Sequence, residues 1–421
     1  MKESIKKRIE AVRRGEVPEG YRRTKDIGIA PSDWRVGQLS DVLHNKQRPV
    51  PKPDEPYWRL GIRSWAKGTF HAYVDDPAAV DMDELYVVQE NDLVVNITFA
   101  WEHAIAVASK EDDGLLVSHR FPTYTFDGGN VPEYYKAVVS QQYFRDMLDH
   151  ISPGGAGRNR VLNRKDFLAL PCHIPPIPEQ KKIAEILATC DRAIELKQQL
   201  LEEKRRQKQW LMQKLMSGSS EGNQVILSAL CSTICDGDWI ESKDQSESGI
   251  RLIQTGNIGV GRYLDKEGRA RYVSKETFKR LHCTEVFAGD ILLSRLPDPL
   301  GRACMIPDLS TRAITAVDCT ILRFQDTETA KFFLQYATSN EYFNKIAILA
   351  GGSTRTRISR KEIENLMIPI PATRAEMQKI SKGLTFADQE ISVLEQELSA
   401  WQQKKKALMQ LLLTGLVRVN A

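Results

Sequence analysis

Two long stretches of the chain share one spacing of apolar residues, and that spacing predicts a long helix in each. In the stretch 376–415, alternating steps of four and three residues meet Ile380, Leu384, Ala387, Ile391, Leu394, Leu398, Trp401, Lys405, Leu408 and Leu412. In the stretch 179–218, the same steps meet Ile183, Leu187, Cys190, Ile194, Lys197, Leu201, Lys204, Lys208, Leu211 and Leu215. We call these positions the seam of each helix. A mean spacing of about 3.5 residues, kept over several heptads, is typical of a coiled coil.

The two stretches are copies of one another, displaced by 197 positions. Lys182-Ile183 falls on Lys379-Ile380, and Leu211-Met212-Gln213 repeats as Leu408-Met409-Gln410. Both copies have a proline upstream, Pro178 or Pro371, and each ends at a glycine, Gly218 or Gly415. These are helix start and stop signals. Two unrelated helices would make this agreement a coincidence, so we predict two related helices, each about 60 Å long.

The residues before each helix show the shorter periods of strands and turns. Residues 1–15 predict a basic amphipathic helix, and an extended lead-in follows it. Leu85–Val88, Leu93–Ile97 and Thr123–Phe126 are β-branched or aromatic runs bounded by Gly, Asp and Asn, which predicts strands. Tyr134–Leu148 predicts one helix.

A diverged second copy of this globule follows the first long helix. Glu90–Asn96 matches Ala288–Ser294, and Gly154–Val161 matches Gly351–Ile358. The predicted fold class is α+β, with two similar α/β globules and two long helices paired as an antiparallel coiled coil. Pseudo-twofold symmetry would place the globules at opposite ends of a rod. The predicted domains are 1–33 (helix and lead-in), 34–173 (first globule), 174–218 (central helix), 222–368 (second globule) and 369–421 (C-terminal helix).

Composition and charge narrow the classes of function. Hydrophobic residues make up 42% of the chain and charged residues 27%, which is ordinary for a soluble protein. The net charge of +4 is small, so a nucleic acid would have to be bound by local patches. No apolar run approaches membrane-spanning length, and the amino terminus lacks the apolar stretch of a signal peptide. Seven scattered cysteines, an odd number, favour a reducing cytoplasm.

Motifs for catalysis, cofactors and metals are missing from the sequence. It contains no phosphate-binding loop, no dinucleotide-binding glycine motif and no H-E-x-x-H. Asp298-Pro299-Leu300 matches the Asn-Pro-Pro-aromatic motif of amino-methyltransferases poorly, and Cys231 and Cys235 lack further ligands for zinc. We therefore expect a protein that is not an enzyme and that holds no metal and no cofactor.

Basic and polar residues in glycine-rich loops are the remaining candidates for chemistry. Such loops offer backbone N–H groups and guanidinium groups to phosphates and base edges. For any single loop, a solvated turn is an equally good interpretation. The repetition of the Gly-Gly…Arg-x-Arg pattern in both copies favours binding. The predicted DNA-binding residues are Arg63, Lys67, Asn96, Trp101, Arg158, Arg160, Asn257, Arg295, Arg302, Arg355 and Arg357.

The sequence resembles the specificity subunits of Type I restriction–modification systems along almost its whole length. The resemblance lies in the lead-in from Gly20-Tyr21 to Pro31-Ser32-Asp33-Trp34, in Ile174–Gln180 and in Leu211–Gly218. The family's Pro-Glu-Gln stands at Pro178-Glu179-Gln180, whereas the second copy departs from it around Glu376-Met377.

The resemblance implies that each globule reads one half of a bipartite double-stranded DNA site. It also implies that the helices set the gap between the halves and dock methylation (M) subunits. Two M subunits and two restriction (R) subunits are expected, and S-adenosylmethionine and ATP would bind to those partners. Trp210, Arg205 and Arg206, which lie off the seam, are the predicted partner-binding residues; for Trp210, packing within the helix pair is an equally good interpretation. Two other classes stay open, namely a coiled-coil adaptor whose globules bind proteins and a methyltransferase with a degenerate motif.

Overall fold

The computed structural model describes residues 3–154, 160–217, 223–351 and 356–419. The chain divides into two compact units. Unit 1 comprises residues 1–196 and 398–421, and unit 2 comprises residues 197–397. In the described part of the chain, no helix is both long enough and apolar enough to cross a membrane.

Unit 1 contains the first globule. Its helices are α1 (Glu3–Arg13), α2 (Pro132–Val139), α3 (Gln142–His150) and α4 (Arg164–Leu168). Its strands are β1 (Tyr21–Arg23), β2 (Ile29–Pro31), β3 (Arg35–Gln38), β4 (Leu43–Asn45), β5 (Pro49–Pro51), β6 (Tyr57–Ile62), β7 (Thr69–Val74), β8 (Glu84–Val87), β9 (Leu93–Val95), β10 (Ile105–Val107), β11 (Leu116–Val117), β12 (Thr123–Phe126) and β13 (Pro171–Ile174). The long helix α5 (Ile177–Ser217) begins in this unit.

Unit 2 contains the second globule. Its strands are β14 (Asn223–Ile226), β15 (Cys231–Asp236), β16 (Gln245–Ser246), β17 (Ile250–Ile253), β18 (Arg271–Val273), β19 (Glu285–Val286), β20 (Ile291–Ser294), β21 (Ala303–Met305), β22 (Ala313–Thr315), β23 (Cys319–Phe324) and β24 (Met367–Ile370). Its short helices are α6 (Leu227–Leu230), α7 (Lys275–Arg280), α8 (Thr327–Tyr336), α9 (Asn340–Leu349) and α10 (Arg360–Glu364), and the long helix α11 (Arg374–Leu413) begins here.

The sheets of the two units have the same plan. A four-stranded antiparallel sheet has the order β10-β9-β12-β4 in unit 1 and β21-β20-β23-β15 in unit 2. A five-stranded sheet has the order β5-β8-β11-β6-β7 in unit 1 and β16-β18-β17-β22-β19 in unit 2. In each five-stranded sheet a single pair is parallel, β6 with β11 and β17 with β22. The predicted α+β class with two similar globules is confirmed.

The seam of each long helix is the side that packs. In unit 1, Ile183 and Leu187 of α5 and Leu412 of α11 are buried in the globule's core. In unit 2, Ile380 and Leu384 of α11 are buried in the core of the second globule. The two described seams contain no fully exposed residue.

Ion pairs fix the direction of the paired helices. In unit 2, Lys197 Nζ lies 2.6 Å from Glu397, Lys204 Nζ 3.0 Å from Glu390 and Lys208 Nζ 2.5 Å from Asp388. As the residue numbers rise along α5, the residue numbers of their partners on α11 fall. The two helices therefore run antiparallel in unit 2, as predicted. In unit 1, the seam residue Lys405 pairs with Asp191 of α5.

One predicted helix is wrong. Tyr134–Leu148 forms two helices, α2 and α3, because the chain leaves helical geometry at Gln141. Gln141 has the extended backbone of a helix N-cap, with φ −75° and ψ 150°. The hydroxyl of Ser140 donates to the carbonyl of Ala137 at 2.8 Å and closes the end of α2. This break brings the start of α3 to the surface described below.

Candidate nucleic-acid interface

In unit 1, four segments that are distant in sequence meet on one side of the globule. We call residues 63–68, 96–104, 141–154 and 160–164 the unit 1 loop surface. The N–H groups of Trp65 and Ala66 donate to the carbonyls of Glu102 and His103 at 2.8 and 2.9 Å. The N–H of Leu162 donates to the carbonyl of Ile97 at 2.8 Å. These backbone bonds hold the loops in fixed positions relative to one another.

Two of the predicted residues in this surface are exposed cations. Arg63 and Lys67 stand on the turn that follows β6. The guanidinium of Arg63 donates to the carbonyl of Thr69 and lies 5.3 Å from the centre of the Phe70 ring. Both cations therefore face solvent at the end of the parallel strand pair, where a phosphate can approach them.

Arg160 and Trp101 are brought together by the fold. The guanidinium of Arg160 lies 5.2 Å from the ring centre of Trp101, and the indole N–H donates to the carbonyl of Thr98 at 3.2 Å. Arg160 also donates to the carbonyls of Ser152 and Asp149 at 2.9 and 2.7 Å. Most of its donors thus stabilise the loop itself.

Asn96 is buried, and its side-chain oxygen accepts the N–H of Thr98 at 3.1 Å. This bond shapes the turn after β9, which is a structural use of the side chain. The predicted residue Arg158 lies outside the described residues.

Arg145 belongs to this surface, although sequence reasoning did not single it out. Its guanidinium lies 3.8 Å from the ring centre of Trp65. The two residues are eighty positions apart, so no local pattern joins them. Trp65 itself gave a signal, because it lies between Arg63 and Lys67 in the sequence.

Unit 2 has a related surface. We call residues 254–266, 294–302, 340–351 and 356–358 the unit 2 loop surface. The N–H of Ile358 donates to the carbonyl of Arg295, as the N–H of Leu162 donates to that of Ile97 in unit 1. The loop after β17 takes the place of the loop after β6, since both strands belong to the parallel pair of their sheet.

Arg302 is buried within the unit 2 loop surface and binds its own backbone. Its guanidinium donates to the carbonyls of Ile258 (2.7 Å), Leu296 (2.8 Å), Thr255 (2.9 Å) and Pro299 (3.1 Å). Burial lowers the pKa of this guanidinium from its ordinary value. The side chain ties the loop after β17 to the loop after β20.

Arg295 and Asn257 are also buried and engaged. Arg295 donates to Asp236 at 2.7 Å. Asn257 accepts the N–H of Gln254 at 3.0 Å and donates to the carbonyl of Leu264 at 2.9 Å. Asn257 shapes its own loop, whereas Arg295 is held against β15 and its buried Nε has no hydrogen-bond partner among the described residues.

Arg357 is an exposed cation of the unit 2 loop surface. Its guanidinium lies 3.1 Å from the carboxylate of Asp318. Asp318 accepts the N–H of Arg295 through its carbonyl, as Arg120 accepts that of Ile97 in unit 1. The position occupied by Arg120 in unit 1 is therefore occupied by Asp318 in unit 2, a cation in one unit and an anion in the other. The neighbouring predicted residue Arg355 lies outside the described residues.

The predicted partner-binding residues lie on the part of α5 that belongs to unit 2. Trp210 is 60% exposed, and the ammonium of Lys214 lies 4.9 Å from its ring centre. Arg205 pairs with Glu395 at 2.6 Å, and this hydrogen bond lowers the pKa of the Glu395 carboxyl. Arg206 lies 3.9 Å from Glu202. All three residues line a groove of about 980 Å³ that also includes the start of α9.

Comparisons with known proteins converge on one family. The family model described as "Type I restriction modification DNA specificity domain" matches residues 31–204 and 235–400. The putative type I restriction enzyme MjaX specificity subunit of Methanocaldococcus jannaschii is 24% identical over 424 residues, which cover 96% of this chain and 97% of the relative. The MjaVIII specificity subunit of the same organism is 24% identical over 306 residues, covering 68% of this chain and 70% of the relative.

A solved structure has the same fold. The S subunit of a Type-I restriction-modification system from M. genitalium aligns with a TM-score of 0.55 and 14% identity. The alignment covers 90% of this chain and 96% of that chain.

Proposed function

The chain belongs to the Type I restriction–modification DNA specificity family, and from this premise we propose that each globule reads one half of a bipartite duplex DNA site. The observation that carries the proposal is the pair of loop surfaces, which follow equivalent strands in two repeats of one fold. Two related surfaces on one chain fit two related tasks.

The exposed cations are the proposed contacts to DNA. They are Arg63 and Lys67 in unit 1 and Arg357 in unit 2. Arg158 and Arg355, which lie outside the described residues, are further proposed contacts on the basis of the sequence. Arg160 and Trp101 line the same surface. Phosphate contacts of this kind set the position of a protein on the duplex, while base-edge contacts give its sequence preference.

The buried residues enter the proposal in a different role. Asn96, Asn257, Arg295 and Arg302 fix the conformations of the loops, and a direct contact with DNA would require their present hydrogen bonds to break. Because a buried donor without an acceptor costs about 1–3 kcal/mol, such a change is unfavourable unless DNA replaces each bond.

The long helices are proposed to set the distance between the half-sites and to dock partners. Trp210, Arg205 and Arg206 are the proposed docking residues. Two methylation subunits and two restriction subunits would bind there or nearby, and they would supply the catalysis. A cytoplasmic location fits the seven cysteines, all of which are free thiols.

The proposal is tested by the salt dependence of DNA binding. The full chain, assembled with its methylation subunits, is titrated with a duplex at several salt concentrations. Each phosphate contact contributes about 0.9 to the slope of log K against log salt, so the Arg355→Ala/Arg357→Ala double variant should bind more weakly and with a smaller slope. If one of the two arginines reads a base instead, sequence choice should relax at one position of one half-site.

Arg374→Ala is the matched control, since Arg374 makes an exposed pair with Asp326 at 3.5 Å on the first turn of α11. It should leave the slope unchanged. Unchanged affinity, slope and sequence choice in the double variant would remove that loop from the interface. Failure of the unaltered complex to bind any duplex would contradict the proposed function as a whole.

A further inference from the structure

Trp65 presents a large aromatic face on the unit 1 loop surface, and a cation lies against it. The indole is 55% exposed. The guanidinium carbon of Arg145 lies 3.8 Å from the ring centre, which is the distance of direct stacking.

The backbone fixes the position of the indole independently of its ring. Trp65 and Ala66 both have positive φ, 67° and 50°, a conformation that residues with a side chain rarely adopt. It is held by the two backbone bonds to residues 102 and 103 and by a 2.6 Å bond from the Ser64 hydroxyl to Glu102. The loop thus presents Trp65 in one place, and shortening its side chain leaves these bonds intact.

Arg145 has uncommitted donors. In the described part of the chain, its side chain makes no hydrogen bond and no ion pair. The other arginines of the surface are engaged: Arg63 binds the carbonyl of Thr69, Arg160 binds the carbonyl and carboxylate of Asp149, and Arg164 binds the carbonyl of His119. Among the residues that the structure describes, the guanidinium of Arg145 is therefore held by its contact with Trp65, and its N–H groups have no acceptor there.

The charges around the pair include anions as well as cations. The carboxylate of Glu102 accepts the hydroxyl of Ser64 beside Trp65, and Asp146 follows Arg145 in α3, but cations remain in excess. Arg63 and Lys67 lie on the same turn as Trp65, and the nearby carboxylate of Asp149 is neutralised by Arg160 at 2.8 Å. A planar guanidinium with free N–H groups binds a phosphate through two parallel bonds. Contact with the indole restricts the side chain of Arg145, so less conformational entropy is lost when those bonds form.

Unit 2 has no equivalent of this cation among its described residues. Counted from the N-caps of α3 and α9, Gln141 and Ser339, the position that corresponds to Arg145 is Phe343, an uncharged, half-buried residue that packs against the core of unit 2. The loop after β17 carries no aromatic residue at the place of Trp65.

We propose that Arg145, held flat by Trp65, binds a backbone phosphate of the half-site that unit 1 contacts. This inference rests on the proposed function and adds to it a contact present in one globule alone. Arg145 is the binding residue, and Trp65 is a positioning residue that acts through it. The two half-sites are consequently bound by different sets of phosphate contacts.

The test uses the full chain in complex with its methylation subunits. The probes are two duplexes of equal length, one carrying the methylated site mapped for this chain and one lacking it. Arg145→Ala should weaken binding to both duplexes by a similar factor, about tenfold, and should lower the salt slope by about 0.9. Arg145→Lys keeps the charge but loses the planar fork, so it should fall between the unaltered complex and Arg145→Ala.

Combining the two substitutions shows whether Trp65 acts through Arg145 or binds DNA independently of it. Trp65→Ala should weaken binding in the same direction as Arg145→Ala, and Trp65→Phe should restore most of the loss. The Trp65→Ala/Arg145→Ala double variant should bind like Arg145→Ala within about twofold, because a ring that acts through the guanidinium has no effect without it.

Arg312→Ala serves as the matched control. Arg312 also stacks on an aromatic ring, that of Phe278 at 4.6 Å, but it precedes β22 and so lies at the opposite end of its sheet from the loop after β17. It should leave affinity and slope unchanged. All variants are compared by urea unfolding, which should show no difference for Trp65 and Arg145.

The inference is overturned if Arg145→Ala leaves affinity and slope unchanged while the unaltered complex still selects its mapped site. It is also overturned if the slope stays constant and one base position becomes relaxed, since that result identifies a base contact. An unaltered complex that does not prefer its mapped site contradicts the proposed function instead, and with it the premise of the inference.

Discussion

Glu179 joins three parts of unit 1 through one buried carboxylate. It accepts the indole N–H of Trp34 at 2.8 Å and the guanidinium of Arg418 at 2.8 and 2.9 Å. Arg418 also binds Asp33 through two bonds of 2.8 and 2.7 Å. The lead-in, the start of α5 and the segment after α11 are thereby held together.

The neighbouring Gln180 completes the same connection. Its amide accepts the N–H of Val131 at 3.0 Å and donates to Asn130 and to the carbonyl of Pro175, both at 2.9 Å. In the second copy the corresponding residue is Met377, which packs in the core of unit 2. The departure from Pro-Glu-Gln thus replaces a polar connection with an apolar one.

Replacing Arg418 tests how much these hydrogen bonds contribute to the free energy of unfolding. Arg418→Ala leaves the Glu179 carboxylate buried with a single donor, and we expect the free energy of unfolding to fall by about 2–3 kcal/mol. Urea unfolding measures the change. Arg374→Ala removes an exposed ion pair and should cost less than about 1 kcal/mol. Equal effects of the two substitutions would contradict the assigned role of Arg418.

The same network predicts a dependence on pH. The hydrogen bond from Arg418 lowers the pKa of the Asp33 carboxyl below its ordinary value of 3.8. A lowered pKa in the folded state contributes stability above the ordinary pKa, and this contribution is lost as the pH falls through the lowered pKa. The stability difference between the unaltered protein and Arg418→Ala should therefore be constant near neutral pH and narrow below about pH 4. A difference that widens in acid would contradict this assignment.

Arg302 illustrates what the sequence alone leaves undetermined. Arginines in glycine-rich loops predict phosphate contacts, yet the four carbonyls that Arg302 binds come from two loops about forty residues apart. Asn96, Asn257 and Arg295 are similar cases, because their partners are set by tertiary packing. The exposure of Arg63, Lys67 and Arg357 could be predicted, because a short exposed turn leaves its cations in solvent wherever the turn lies, while their contact with DNA stays a prediction.

Substitution of Arg302 shows whether this residue stabilises its loop or contacts DNA. Arg302→Ala leaves several buried carbonyls without donors, so unit 2 should lose about 3 kcal/mol of stability. Arg357→Ala, on the exposed turn, should change stability by less than about 1 kcal/mol and should affect DNA binding instead. If the Arg302→Ala protein is stable and its DNA binding has a smaller salt slope, Arg302 is a DNA contact after all.

At the scale of the elements, the two long helices were predictable because their heptads repeat. The spacing alone places Ile183, Leu187, Ile380 and Leu384 in the cores of their units. The lysines on the seam pair with carboxylates of the facing helix, and this could not be predicted because it depends on the alignment of the two helices.

Substitution of the two tryptophans of the long helices tests partner docking and helix packing separately. Trp210 lies off the seam and is 60% exposed, whereas Trp401 lies on the seam of α11 and is half-buried. Trp210→Ala should leave the free energy of unfolding within about 0.5 kcal/mol and should weaken assembly with the methylation subunit. Trp401→Ala should lower stability by about 2 kcal/mol or more. Loss of stability without loss of assembly at Trp210 would make it a packing residue.

At the scale of the whole molecule, the proposed task of the helices is to set a distance. Adding one heptad to α5 and one to α11 at matching places keeps both seams aligned and adds about 10 Å of helix. The gap between half-sites should then grow by roughly three base pairs, at about 3.4 Å per base pair. The half-sequences should not change, because the loops are untouched.

The roughly three added base pairs also rotate one half-site relative to the other about the duplex axis by about a third of a helical repeat. Affinity should fall to the extent that the DNA must twist to meet both surfaces. A working variant that keeps the original gap would show that the helices do not set the distance.

Mapping of methylated bases tests the central claim most directly. Genomic DNA is compared between cells that hold this chain with its methylation subunits and cells that hold the methylation subunits alone. We predict one bipartite methylated motif in the first and its absence in the second. Replacement of residues 222–368 by the corresponding globule of a relative should change one half of the motif and leave the other half as it was. A motif that persists without this chain, or that changes in both halves after the replacement, would contradict the account.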